Sequence, residues 1–240
     1  MKQAQLPKLK LPHTLKAQAA WESTIVKKAG DFAGDLALVS AINQHARLIK
    51  GWQALDQVRT SRDPSITPAT HLKLIKSKTE SLVSSQAESC TATTNRLKAR
   101  KHEIQNEINE RLGLNKRENA QEVRSVIRSM NSKERGEAIR QAIKSHDSEV
   151  LSAVFNGSSL LTGLTKEQVN TYKTMAETQL APDLLGLRDA VEYSEKMLSD
   201  TFDDILALKE QAIGNPLIER EYTKQSEQAE AALASLDEAM

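Results

Sequence analysis

Residues 69–112 read ATHLKLIKSKTESLVSSQAESCTATTNRLKARKHEIQNEINERL, 44 residues without a Pro or Gly. Nothing in this stretch breaks a helix, and at 1.5 Å rise per residue it predicts one roughly 60–65 Å long. A seven-residue pattern runs along its second half. Val83, Cys90, Leu97 and Ile104 share one core position, and Ala87, Thr94, Lys101 and Ile108 the other. The Thr and Lys of the second series are poor knobs for a self-sufficient coiled coil, so the helix is expected to be one member of a larger bundle or assembly. Cys90, the chain's single cysteine, falls on the apolar seam and reads as a small buried hydrophobe.

Outward from this helix the punctuation is regular. On the N-terminal side, Asp63-Pro64 and Thr67-Pro68 break the chain. Before them a helix is predicted from about Asp35 to Arg59, with Leu38, Ile42, Ile49, Trp52 and Leu55 inward. An earlier one runs from a Thr14 cap to about Lys28 and stops at Gly30, with Leu15, Trp21, Ile25 and Val26 inward. Residues 1–12 alternate Leu6, Leu9 and Leu11 with Lys8 and Lys10, and Pro7 and Pro12 disfavour helix. They read as an extended basic arm suited to docking.

On the C-terminal side Gly113 ends the long helix, and short helices follow. Asn115–Glu118, Asn131–Glu134 and Thr165–Gln168 have the spacing of capping boxes, Asp147 is placed to cap, and Asn156-Gly157 to close. Pro182 opens a clear amphipathic helix carrying Leu184, Leu187, Val191, Leu198, Ile205 and Leu208. After Asn215-Pro216, residues 217–240 are rich in Glu, Ala and Gln with few large apolar side chains: Leu217, Ile218, Tyr222, Leu233 and Leu236. They form a helix that needs a partner for burial. No strand pattern is present. The expected fold is all-α, an elongated helical bundle with long helices, a small-helix module and an extended N-terminal arm. Four segments follow from the breaks: 1–64, 65–114, 115–181 and 182–240.

Composition narrows the function classes. Only eight of 240 residues are aromatic, so the chain lacks the large anchors on which a single-core domain usually relies. No apolar run reaches the ~18–20 residues of a membrane span, and no secretory signal is expected. Net charge is +1, but residues 1–150 hold 26 Lys/Arg against 16 Asp/Glu, and residues 151–240 hold 7 against 16. A basic half and an acidic half suit head-to-tail self-association, or contact of the basic half with nucleic acid or an acidic protein; drift of solvated faces is the plainer account. Arg96, Lys98, Arg100, Lys101, Arg124 and Arg128 are the candidate phosphate contacts, although interleaved glutamates also suit pairing along the helix.

Phosphate loops, HExxH and Cys/His zinc patterns, and G-x-S-x-G elbows are absent from the sequence. The five histidines are scattered, and Asp200, Asp203 and Asp204 read as a solvated acidic face. No catalytic residue, cofactor site or metal site is expected. The residues expected to touch partners are Leu6, Leu9, Leu11 and Trp21, together with the seam Leu97, Ile104 and Ile108.

A resemblance enters at Met130–Glu134-Arg135, Ala138-Ile139, Ala142-Ile143, His146-Asp147, Leu151–Phe155 and Leu161–Thr165. This run resembles a helical segment of proteins encoded by tailed bacteriophages and prophages, in which a capped Arg/Ala-rich helix leads through a Gly-Asp turn to a Leu-x-Ala-Val helix and a Leu-Ser/Thr-Gly-Leu turn. His146 stands where Gly is frequent. The resemblance covers about residues 130–168 and carries no active site. It implies a non-enzymatic, homo-oligomeric structural or assembly protein in contact with other virion proteins: capsid-, portal- or tail-associated, internal, or a scaffold absent from the mature particle. Its place would be the virion, and the host cytoplasm during assembly. The alternatives are a DNA-associating internal or ejection protein and a cellular helical adaptor.

Overall fold

The computed structural model describes residues 8–115, 119–213 and 216–238. Among them every regular element is helical. In chain order these are α1 (His13–Lys16), α2 (Gln18–Ala29), a 3-10 turn (Gly30–Phe32), α3 (Leu36–Thr60), α4 (Pro68–Arg111), α5 (Ala120–Ser129), α6 (Ser132–Ser145), α7 (Ser148–Phe155), α8 (Ser159–Thr162), α9 (Lys166–Leu180), α10 (Pro182–Ile213) and α11 (Pro216–Glu238). The fold is an all-α helical bundle.

Local chemistry sets many helix ends. Asn131 accepts from Lys133 and Glu134 N–H groups, and the Glu134 carboxylate accepts the Asn131 N–H, a complete capping box. Thr165 and Gln168 form another at α9, and Asp147 accepts from Glu149 and Val150 at α7. Asp35 accepts the Ala37 N–H at the start of α3. His146 ends α6 in the left-handed region (φ 55), where an L side chain is strained and glycine is not. Residues 116–118 of the Asn115–Glu118 box lie outside the described residues, and α5 starts behind Asn119 without a side-chain cap.

Thr14 is not the cap it was expected to be. Pro12 holds the N-cap position of α1 with no side-chain bond, and a break at Ala17 separates α1 from α2. The Thr14 hydroxyl instead donates to Asp204 Oδ2 at 2.5 Å.

The chain forms two compact units, each drawn from separated stretches of sequence. The first comprises Met1–Glu22, Val39–Asn95 and Glu195–Met240. Its α3 and α4 segments are antiparallel. Gln44 donates to Cys90 Sγ (3.7 Å), Trp52 Nε1–H to Gln86 Oε1 (2.9 Å) and His71 Nε2–H to the Arg59 carbonyl (3.4 Å), so position falls on α4 as it rises on α3. Its α10 segment runs parallel to α3: Thr14 bridges His45 to Asp204, and Arg59 reaches Ala212.

The second unit comprises Ser23–Leu38 and Arg96–Ser194. There α4 and α10 are antiparallel, tied by Lys101–Glu192 (3.1 Å), Arg188–Gln105 (3.1 Å) and Arg111–Asp183. Gly186 sits where α2 meets α10; a Cβ there would lie 2.6 Å from the Lys28 carbonyl oxygen. In the small-helix part Arg135 is a clamp. Its guanidinium donates to the carbonyls of Ile127, Arg128 and Met130, which end α5, and to Gly163 beyond α8.

Candidate functional site

The arm residues were expected to await a partner, but the described part of the arm lies on its own chain. Leu6 lies outside the described residues. The Leu9 N–H donates to Asp56 Oδ1 at 2.9 Å, and Leu9 and Leu11 are half-buried while Lys8 and Lys10 face solvent. Trp21 is buried, its ring 4.5 Å from that of His45. A carbonyl only accepts, so His45 donates from Nε2 to the Thr14 carbonyl (2.9 Å), which leaves Nδ1 as the bare nitrogen. Neither that nitrogen nor Trp21 Nε1 has a hydrogen-bond partner. Burial pulls the His45 pKa below its ordinary value, and the Thr14 bond offsets this only in part.

Beneath the arm is a polar hub that sequence reasoning missed. Arg59 is buried; Nε–H donates to the Ala212 carbonyl (3.1 Å), Nη2–H to Gln211 (3.4 Å) and Nη1–H to Asp56 (3.0 Å). It thereby caps the last carbonyls of α10 while Asp56 also holds Leu9. Burial lowers its pKa, and Asp56 opposes the shift. The signal for it lay in the spacing: Leu48, Trp52, Leu55 and Arg59 recur at steps of four, three and four, which puts Arg59 on the buried stripe.

The α4 seam is also satisfied within the chain. Leu97, Ile104 and Ile108 are completely buried, so they are core and not a docking ridge. The companion row differs from the expected one as well. Thr79, Gln86 and Thr93 are buried, whereas Ala87, Thr94 and Lys101 are only partly covered. Burial of these polar residues is tolerated because each is satisfied. Thr79 donates to the Ile75 carbonyl and Thr93 to that of Ser89, and Gln86 takes the Trp52 proton. Cys90 is buried as expected, and burial raises its pKa.

The candidate phosphate contacts do not form one basic ridge. Arg100 donates to Asp35 (2.8 Å), Glu103 (3.2 Å) and Glu107 (2.6 Å); burial works against its charge, but Glu107 and Asp35 outweigh it and raise its pKa. Lys101 is paired with Glu192. Arg96, Lys98 and Arg128 are exposed and Arg124 half-buried. At 100° per residue, Lys98 points roughly 160° from Arg100 and roughly 160° from Arg96 on the other side. Of the acidic turn, Asp204 is engaged by Thr14, and no group of three potential metal ligands occurs among the described residues.

What is left open to solvent is apolar surface elsewhere. A groove of about 540 Å³ lies beside the start of α3, between Leu36, Ala37, Arg96 and Ala99, with Leu36 86% exposed. Two carboxylates also line it: Asp35, which caps α3 and holds Arg100, and Glu103, which pairs with Arg100. Leu160 (80%), Val126 (56%) and Leu161 (49%) are also exposed on the small helices, and a further exposed surface is α11. Its described side chains are all exposed, among them Leu233 (61%) and Leu236 (56%). No described helix is long and apolar enough to cross a membrane. Comparison of the chain with protein-family models, with curated proteins and with solved structures found no match.

Proposed function

We propose that the chain is a non-enzymatic structural or assembly protein of a tailed-phage particle, working through protein contacts made by α11 in place of the buried α4 seam. The observation that carries this reading is the exposure of α11. Residues 227–238 are exposed on every side of a helix whose isolated form would be marginal in water. Two leucines exposed by more than half each favour a protein surface that covers them. The phage assignment rests on the resemblance of residues 130–168, in which the caps at Asn131, Asp147 and Thr165 are ordered by the local bonds described above. A DNA-facing role loses support from the ion pairs of Arg100 and Lys101.

The test is made on particles. Mass spectrometry of purified virions and of assembly intermediates from infected cells should find the chain in stoichiometric copies in one or both. Presence in intermediates alone makes it a scaffold, and presence in both a structural component. Absence from both refutes the reading. Full-length Leu233→Asp/Leu236→Asp should remain folded yet drop out of particles.

A further inference from the structure

We propose that residues 8–16, the arm and α1, form a strap that acid releases from α3 and α10 while the bundle beneath stays folded; this goes beyond the assembly reading and does not rest on it. Among the described residues three hydrogen bonds tie the strap to these helices, and each involves a titratable side chain. The Leu9 N–H donates to Asp56 on α3, the Thr14 hydroxyl to Asp204 on α10, and His45 Nε2–H on α3 to the Thr14 carbonyl. All of these residues lie in the first unit. The strap has little stability of its own: α1 is four residues long, its Pro12 cap makes no side-chain bond, and the helix breaks at Ala17. Its firmest apolar hold is Leu15, 2% exposed.

His45 is the trigger. Protonation keeps its Nε2 bond but adds an N–H at Nδ1, a buried atom with no hydrogen-bond partner. The Trp21 ring packed against it supplies no acceptor nitrogen, because the indole N–H only donates and is itself buried without a partner. The titratable groups on the neighbouring elements are exposed or engaged elsewhere. On α1, His13 and Lys16 are exposed; on α10, Asp200 and Asp203 are exposed and Asp204 takes the Thr14 hydroxyl; on α4, Cys90 takes the Gln44 amide. No ion pair among the described residues reaches the ring, and burial outweighs the Thr14 bond in favour of the neutral form. Lifting α1 gives the imidazole room to turn to water, so the open strap takes up the proton that the docked one resists.

The opening is local because the ties beneath the strap do not pass through it. Trp52 bonds Gln86, Gln44 bonds Cys90, and Arg59 bonds the end of α10 while keeping Asp56. Release frees Leu9, Leu11 and Leu15, so an apolar segment masked at neutral pH is presented in acid.

The test uses the full-length chain carrying Leu15→Cys with Cys90 retained. Dithiodipyridine, which reacts with thiols in acid as well as at neutral pH, labels both positions. Peptide mass spectrometry reads each one against the unfolded chain at the same pH. Labelling at position 15 should rise from pH 7.5 to pH 5 by up to roughly thirtyfold, the limit set by a free histidine of pKa about 6.5, while Cys90 stays shielded. The His45 ring, followed by NMR, should titrate with the same midpoint, and adding His45→Gln should remove the pH dependence. A rise of less than about twofold, both thiols opening together, or an unchanged pH response in His45→Gln would overturn the strap. Should His45→Gln leave position 15 open at every pH, the two midpoints in the parent decide: agreement supports the strap, and a ring still neutral where position 15 has opened refutes it.

Discussion

Arg59→Ala should be the most damaging single truncation of a charged residue in this protein, for reasons that can be worked through bond by bond. The guanidinium is 2% exposed and donates to two carbonyls at the end of α10 and to Asp56. Truncation leaves the Ala212 carbonyl without this donor, strands a partly buried carboxylate and opens space beneath the arm. Breaking a buried pair by removing one partner costs about 3–5 kcal/mol. Asp56→Asn keeps an acceptor for the Leu9 N–H and removes only the charge from a group that is 23% exposed, so about 1–2 kcal/mol is expected. Because the two side chains touch, the double variant should be less damaged than the sum, with a coupling of about 1–3 kcal/mol. Urea unfolding followed by far-UV circular dichroism measures all four corners of the cycle. With a slope of about 3 kcal/mol per molar, Arg59→Ala moves the midpoint down by about 1 M or more. A loss under about 1 kcal/mol, or strict additivity with Asp56→Asn, would refute the hub.

Three further outcomes follow from other parts of the fold. His45 has a depressed folded pKa, so the neutral form is favoured; stability is present in full above the unfolded value of about 6.5 and falls as pH drops below it, by at most about 1.4 kcal/mol per pH unit. Thermal melts of wild type and His45→Gln across pH 8 to 5 check this, and parallel curves would contradict it. Gly186→Ala, which at an unhindered helical site would gain about 1 kcal/mol, should instead lose about 1–3 kcal/mol, because the new methyl meets a backbone oxygen; an unchanged or raised melting temperature would count against the close approach. Leu97→Asp buries an unpaired charge and should abolish soluble folded protein, whereas Leu233→Asp should leave the melting temperature within about 1 °C, both read by circular dichroism after equal expression.

The sequence alone determined that the fold is all-α and where many helices begin and end, though not the Pro12 start of α1, the break at Ala17 or the uncapped start of α5. Those decisions are local. A side chain at Asn131, Asp147 or Thr165 meets its N–H partner two or three residues away, and Pro182 or Gly30 acts on its own backbone. It also placed the row Val83, Cys90, Leu97 and Ile104 on one face, since apolar spacing follows the helical period.

Tertiary structure alone decided which polar residues go inside. Thr79, Gln86, Thr93 and Arg59 are of polar types usually exposed, and although spacing puts Arg59 on an apolar stripe, desolvating any of them is unfavourable until a partner is supplied. The partner of Gln86 is Trp52, 34 residues away, and that of Arg59 is the end of α10, 153 residues away. The same distance in sequence hid the fate of the α4 seam. Its narrow stripe suggested a missing subunit, but segments of this chain far from it in sequence complete the burial. Spacing along one helix fixes which face is apolar; only the packed chain fixes what covers it.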